Sequence, residues 1–169
     1  SLNLSIKLKN NGIKMKNLAL GEVASIFNGK TPSKKEQRNI GHPVLKIKDI
    51  NYQGVFSGKY TSYVDNDLAF KNKTKLLKEG DIVILNSAHH ARYIASKIGY
   101  ISSLNKNALP VGEWTIIRSD NSKIDSKFLF YFFLNTKTQK QLSKLVKGIH
   151  IYPKDIEKIK INLPKIQVQ

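Results

Sequence analysis

Side chains that donate or accept hydrogen bonds are concentrated in one short segment of this sequence, residues 86–92 (NSAHHAR). Amide, hydroxyl, imidazole and guanidinium groups follow one another there without an apolar period, which is typical of a binding loop. We predict that its chemistry is recognition through hydrogen bonds. The side chains best suited to that role are those of Ser87, His89, His90, Arg92 and the adjoining Tyr93.

The adjacent histidines of this segment, His89 and His90, do not have the spacing of a metal site. Neighbouring side chains point to opposite faces of a strand and lie roughly 100° apart on a helix, so they cannot easily share one ion. The sequence has no cysteine and no HExxH pattern to complete such a site. We therefore expect no metal centre and interpret both histidines as hydrogen-bonding loop residues.

Signatures of catalysis are weak in the rest of the chain. Residues 54–60 (GVFSGKY) resemble a phosphate-binding loop, but they are one residue short and end in tyrosine where serine or threonine is needed. Asp125 and Lys127 fit a D-x-K pattern, although Asp125 is better explained as a helix cap. We expect no catalytic residue in this chain. A small metal-dependent nuclease or RNA-processing domain that uses Asp125 stays open as an alternative.

The charge of the chain favours a polyanionic partner. Its 29 basic and 12 acidic residues give a formal net charge of +17, and all but three of the basic residues are lysines. Lysine is a compact point charge that suits sequence-independent contact with phosphates, so DNA or RNA is the expected partner. A basic domain that binds nucleic acid without sequence preference is a further alternative.

The hydrophobic pattern argues against a membrane partner. No apolar run approaches the ~20 residues of a membrane span. The lack of cysteine makes an intracellular location the default. We therefore expect a cytoplasmic protein with no membrane association.

The binding segment must be positioned by the apolar runs that flank it. Residues 82–85 (IVIL) predict a buried strand before it, and residues 93–95 and 98–101 predict strand structure after it. Residues 43–50 alternate with period 2, and residues 113–118 (EWTIIR) form another strand pattern. Between these strands, residues 51–75 predict loops with short strands.

The pattern changes to helical spacing in the last third of the chain. Asp125 or Ser126 can cap a helix over residues 127–134, which is apolar nearly all round and is therefore expected to be buried between layers. Further helical segments are predicted over residues 136–147 and 153–158, and a strand over residues 159–164. Strands first and helices last predict an α+β fold, a mixed, mainly antiparallel twisted sheet with C-terminal helices.

The order of several motifs resembles a known family. Residues 20–32 (LGEVASIFNGKTP), 43–49 (PVLKIKD), 77–87 (LKEGDIVILNS), 114–118 (WTIIR), 127–136 (KFLFYFFLNT) and 159–169 (IKINLPKIQVQ) follow one another in this chain. Together they are similar to the target recognition domain of the specificity subunit of type I restriction-modification enzymes. The similarity covers residues 18–169.

This resemblance implies a non-catalytic DNA reader that recognises one half of a bipartite site in double-stranded DNA. Its implied partners are methyltransferase (M) subunits, which would bind S-adenosylmethionine, and a restriction (R) subunit. No cofactor is implied in this chain. The family's subunits usually carry two such domains joined by long helices. We therefore expect residues 1–17 to be a tail or edge strand, 18–164 the recognition domain, and 165–169 the start of a truncated spacer helix.

Phosphate contacts position a protein on DNA, and contacts to base edges give it specificity. We predict base contacts from the binding segment and from a second loop that carries His150 and Tyr152, whose packing on the following short helix is the alternative. Arg92 could instead pair with Asp81 or Glu79. The predicted phosphate contacts are Lys30, Thr31, Lys34, Lys35, Lys46, Lys97 and Lys147.

Overall fold

The structure is a computed structural model that describes residues 6–7 and 11–169. Its strands are β1 (Lys16–Ala19), β2 (Ala24–Asn28), β3 (His42–Leu45), β4 (Tyr63–Val64), β5 (Ile82–Leu85), β6 (Ile98–Tyr100), β7 (Leu109–Pro110), β8 (Trp114–Ser119) and β9 (Lys160–Leu163). Its α-helices are α1 (Asn66–Lys71), α2 (Ser126–Leu134), α3 (Thr136–Leu145) and α4 (Pro153–Ile156).

A four-stranded antiparallel sheet in the order β2-β8-β5-β6 forms the centre of the molecule. All four residues of β5 are buried, because both faces of this sheet are covered. Ile82 and Ile84 pack into the core beneath α2 and α3, together with Leu129 and Phe133. This arrangement explains why residues 82–85 form an unbroken apolar run.

The opposite face of the central sheet packs on a smaller sheet. Val83 and Leu85 lie in this second core with Trp114. The smaller sheet has the order β4-β3-β7, and β3 pairs with β7 in parallel. The predicted α+β class, with mixed but mainly antiparallel strands and C-terminal helices, is therefore confirmed.

The first and last strands of the fold form a separate ribbon. Lys16 pairs with Leu163 and Ala19 with Lys160 in antiparallel register. After β9 the chain makes a short 3-10 turn at Ile166–Val168, where we predicted the start of a spacer helix. The predicted tail lies partly outside the described residues, and the domain boundaries stay predictions.

Several local predictions were wrong for identifiable reasons. The strand predicted over residues 43–50 ends at Leu45, because the Asp49 carboxylate accepts the backbone N–H of Lys46 and closes a 3-10 turn. Residues 51–75 contain α1, which was not predicted. Tyr93 ends a 3-10 turn, and Ala95 has a φ of 61°, so the strand begins only at Ile98.

The helix α2 is less buried than its composition suggests. Leu129 and Phe133 are fully buried, whereas Tyr131 is 63% exposed and Leu134 is 42% exposed. The helix lies on one face of the central sheet, and no second layer among the described residues covers its outer side. The prediction of a helix buried between layers is therefore wrong.

The start of α2 gives a first testable prediction. The Asp125 side chain accepts the backbone N–H of Phe128 at 3.0 Å, as expected for an N-cap. We expect Asp125→Ala to lower the free energy of unfolding by about 1 kcal/mol in urea denaturation, because that amide loses its partner. Asp125→Asn should retain most of the stability, since asparagine also caps helices. Equal losses in both variants would contradict the capping role.

Candidate nucleic-acid interface

The two loops predicted to contact bases meet at one end of β5. Ser87 and His150 form an antiparallel bridge, and the Ile151 N–H donates to the Asn86 carbonyl at 2.9 Å. The Ala88 N–H also points to the Ile149 carbonyl, at 3.4 Å. Residues 86–88 and 149–151 therefore form a short two-stranded ribbon, although they are more than 60 positions apart in the chain.

An open groove of about 730 Å³ lies beside this ribbon. Five of the predicted base-contact residues line it. They are Ser87, His89, His90, Tyr93 and His150. Tyr52, Glu113, Ile149 and Ile47 also line the groove and were not predicted. Tyr52 and Glu113 lie in loops that pattern reasoning assigned to turns or strand ends, and only the tertiary fold brings them here.

The polar groups of the binding segment are available to a partner. His89, His90, Arg92 and Tyr93 are all exposed. The Arg92 guanidinium stacks over the Tyr93 ring at 4.9 Å and donates to its hydroxyl at 3.2 Å. Asp81, which we considered as a partner of Arg92, instead pairs with Arg118. Arg92 is therefore exposed beside Tyr93 of the groove, and its guanidinium carries four N–H groups besides the one that bonds Tyr93.

A buried network of side chains fixes the base of the segment. The Asn86 amide nitrogen lies 2.9–3.2 Å from three acceptors, which share its two hydrogens: the Asn28 side-chain oxygen, the Gly112 carbonyl and the Thr115 hydroxyl. The Asn86 N–H donates to the Glu113 carbonyl at 2.8 Å. Asn86 thus joins β5, β8 and the loop before β8, and we assign it a positioning role that sequence reasoning missed.

The lysines predicted to contact phosphates differ in their exposure and in their ion pairing. Lys30, Lys34 and Lys35 are exposed on the loop that follows Gly29, and the Lys30 N–H donates to the Pro110 carbonyl. Lys46 is half-buried just before Ile47 of the groove. Lys147 is exposed and forms an ion pair with Asp155 at 3.1 Å.

Two of the predicted phosphate contacts form hydrogen bonds to other groups of the protein. The Thr31 hydroxyl accepts the Gly112 N–H and donates to Glu113, so it is not free for a phosphate. Lys97 is only 8% exposed, and its ammonium donates to the Ile47 carbonyl and lies 5.0 Å from the Tyr52 ring. Burial lowers the pKa of Lys97, and nearby Asp49 opposes that shift. We reassign Lys97 to shaping the wall of the groove.

Tyr152 lies at the far edge of the second loop. It is exposed, and its ring lies 6.1 Å from the ring of His150. Tyr152 also precedes the first residue of α4. Its exposure is compatible with the predicted base contact, which stays a prediction.

Neither a candidate metal site nor a candidate membrane-spanning helix is found among the described residues. No group of three or more His, Asp or Glu side chains among them could hold a metal ion. None of the helices in residues 6–7 and 11–169 is long and apolar enough to cross a membrane. Asp125, the acid of the nuclease alternative, caps α2.

The reassignment of Lys97 leads to a prediction about salt dependence. Each lysine that neutralises a DNA phosphate contributes about 0.9 to the slope of log K against log salt concentration. We expect Lys34→Met to reduce this slope by roughly that amount. Lys97→Met should leave the slope unchanged, because its ammonium faces a carbonyl oxygen. Fluorescence anisotropy with a labelled duplex between low and moderate salt measures both, and equal slope changes would restore Lys97 as a phosphate contact.

Comparison with known sequences finds a matching family model and a curated relative. The family model described as "Type I restriction modification DNA specificity domain" matches residues 13–169. The specificity subunit of the type I restriction enzyme MjaVIII from Methanocaldococcus jannaschii is 33% identical over 157 residues, which is 89% of this chain and 36% of that protein. The chain therefore spans about one third of the length of this curated relative.

Several solved structures have a fold similar to that of this chain. The HsdS subunit from Thermoanaerobacter tengcongensis superposes with a TM-score of 0.65 at 18% identity, over 90% of this chain and 34% of that one. A structure concerned with complex assembly and conformational transition of the type I R-M system gives 0.63, also at 18% identity, over 90% and 35%. The S subunit from M. genitalium gives 0.58 at 13% identity, over 92% and 36%.

Proposed function

Because this chain belongs to the family of type I restriction modification DNA specificity domains, we propose that it reads the sequence of double-stranded DNA for partner enzymes. In this role the chain performs no chemistry and recognises one half of a bipartite site. The groove beside the 86–88/149–151 ribbon makes the base contacts, and the lysine-rich loop after Gly29 contacts phosphates.

The observation that carries this proposal is the convergence of the two loops. Imidazole, phenol and hydroxyl groups from residues 87–93 and His150 line one open groove at the end of a buried strand, and the Arg92 guanidinium stacks on the Tyr93 ring beside it. A two-stranded ribbon is narrow enough to enter the major groove of DNA, which is about 12 Å wide. The net charge of +17 supplies attraction to phosphates without sequence preference.

The proposed partners follow from the family. Methyltransferase subunits that bind S-adenosylmethionine and flip the target adenine would act at the site that this chain selects, and a restriction subunit would join them for cleavage. The cofactor is expected in the methyltransferase subunit and not in this chain. Such a role is carried out in the cytoplasm, which is part of the proposal.

The alternatives predict different results. A metal-dependent nuclease requires clustered carboxylates, and Asp125 has a sufficient structural role as a helix cap. Plasmid cleavage by the purified chain with Mg²⁺, abolished in Asp125→Ala, would favour the nuclease. Binding to duplexes without any sequence preference would favour a general basic nucleic-acid-binding domain.

Selection from a random duplex pool tests the proposed function. The purified chain is incubated with the pool at moderate salt, and bound duplexes are amplified and sequenced over several rounds. We expect enrichment of one short motif over the starting pool. A pool that stays random after selection would contradict sequence-specific recognition by this chain.

Arg92 gives a more specific prediction of the same kind. An arginine can donate two hydrogen bonds to guanine O6 and N7. We expect Arg92→Ala to reduce discrimination at one base pair of the selected motif by about tenfold. Arg92→Lys keeps the charge but loses the fork, so it should keep the salt dependence and still lose the discrimination. An unchanged motif in both variants would show that Arg92 does not contact bases.

A further inference from the structure

One acidic side chain, that of Glu113, lines the groove among the described residues, and the other polar groups of the wall are hydroxyl, imidazole, phenol and ammonium groups. A carboxylate in a groove that faces DNA is repelled by phosphates, because the duplex carries one negative charge per about 1.7 Å. The Glu113 carboxylate is therefore expected to lower the affinity for DNA of any sequence. Such a residue is useful there only if it accepts a hydrogen bond from the bound DNA.

The orientation of the Glu113 carboxylate is set by its neighbours. The Gly112 N–H donates to the Thr31 hydroxyl oxygen at 2.8 Å, so the hydroxyl proton is directed to Glu113 Oε2 at 3.1 Å. The Glu113 carbonyl accepts the Asn86 N–H at 2.8 Å. In the part of the chain that the structure describes, no donor occupies Oε1. One carboxylate oxygen is thus held, and the other has no donor among the described residues, in a residue that lines the groove.

We propose that Glu113 is a specificity-determining residue that accepts a hydrogen bond from the exocyclic amino group of a cytosine in the major groove. This inference rests on the proposed function. A carboxylate accepts and never donates, so it is repelled by thymine O4 and by guanine O6 and N7. Adenine offers an amino group, but its N7 acceptor lies beside it. Cytosine N4 has no acceptor next to it on that edge, and acidic side chains pair with it for this reason.

Thr31 is the positioning residue of this contact. Its hydroxyl donates to Oε2 and accepts the Gly112 N–H, so these two bonds, and not a phosphate, engage the hydroxyl. Replacement with valine would free the carboxylate to rotate. We expect Thr31→Val to weaken the cytosine preference while the identity of the preferred base stays the same.

The test compares motifs selected by variants from the random duplex pool. Glu113→Ala should lose the cytosine preference at one position, a fall in discrimination of about 10- to 100-fold. It should also bind random duplexes more tightly, because one repulsive charge is removed. Glu113→Gln retains an acceptor for Thr31 and gains a donor, so its preference should move to adenine, whose N6 and N7 match an amide. Glu79→Ala removes an exposed acid at the opposite end of β5 and should leave every position unchanged.

A base analogue tests the contact without changing the protein. A duplex with 2-pyrimidinone at the selected cytosine lacks the amino group and should bind the wild-type chain about 10-fold or more weakly. Glu113→Ala should not distinguish this duplex from the unmodified one. Inosine opposite the cytosine removes only a minor-groove amino group and should have no effect. If the inosine duplex bound more weakly and the 2-pyrimidinone duplex did not, the proposed major-groove contact would be wrong.

The outcomes separate this inference from the proposed function. If the wild-type chain enriches no motif, both fail. If it enriches a motif that Glu113→Ala and Glu113→Gln share at every position, the role of Glu113 is wrong and sequence recognition stands. Thermal unfolding of each variant, with a melting temperature close to that of the wild type, shows that an altered motif is not the result of misfolding.

Discussion

Replacing Arg118 with methionine is expected to lower the free energy of unfolding by about 3–5 kcal/mol, the cost of leaving a buried charge without its partner. Arg118 in β8 donates through Nε and Nη2 to the two carboxylate oxygens of Asp81, at 3.0 and 2.8 Å. Asp81 is only 2% exposed, and it lies in the turn that leads into β5. Methionine retains an apolar side chain against the Phe27 ring but cannot neutralise the carboxylate.

Urea denaturation of the wild type and variants measures this effect, and Arg38→Met is the matched control. Arg38 forms an ion pair with Asp65 at 3.1 Å, but both side chains are largely exposed, at 42% and 62%. Exposed pairs contribute about 0–1 kcal/mol. The double replacement Arg118→Met with Asp81→Leu should recover part of the loss, since neither charge then remains buried. Similar losses for Arg118→Met and Arg38→Met would contradict the argument from burial.

Replacing Asn86 with alanine is expected to cost about 2–4 kcal/mol of stability and to weaken sequence recognition. The variant removes an amide nitrogen that serves three acceptors, and it leaves a space in a fully packed region. Asn28 keeps the Thr115 hydroxyl as a donor at 2.7 Å, whereas the Gly112 carbonyl loses its bond to the Asn86 side chain. Gly112 precedes Glu113, so the loss is transmitted to the wall of the groove.

Two measurements check the Asn86 prediction. Urea denaturation gives the stability, and the selected motif at a temperature where the variant is folded gives the recognition. Asn162→Ala is the control, because the Asn162 side chain is exposed on the β1–β9 ribbon and accepts a hydrogen bond from that of Asn17. A change of that kind costs within about 0.5 kcal/mol. If Asn86→Ala lost stability but kept the motif of the wild type, the network would support the core and not the groove.

The elements that could be predicted from the sequence are those whose pattern matches their final environment. The run at residues 82–85 is buried on both faces, and its unbroken apolar composition predicts this burial. Asp125 lies one position before the first residue of α2 and three before its first apolar residue, which is the pattern of a helix cap. The same kind of argument failed for α2, where Tyr131 is exposed. An apolar composition does not show which sides of a helix the rest of the fold covers.

Short elements and distant pairings were beyond this reasoning. The helix α1 has six residues, too few for a helical period to be recognised within a polar segment. Lys97 looks like any other lysine in the sequence, and only the fold places its ammonium against the Ile47 carbonyl. Ser87 and His150 pair across a stretch of sequence that contains α2 and α3, so the two loops could be proposed separately but not as one site.

The ribbon of β1 and β9 has a consequence for how the molecule is made. Ala19 of β1 pairs with Lys160 of β9, so β1 cannot form this pairing until the ribosome has added about 140 more residues. At about 5–20 residues per second, that delay is roughly 7–30 s. During this time Leu18, which packs on the first core, has no Ile161 beside it. A nascent chain halted before position 160 is therefore expected to be more sensitive to protease and to chaperone binding than the finished one.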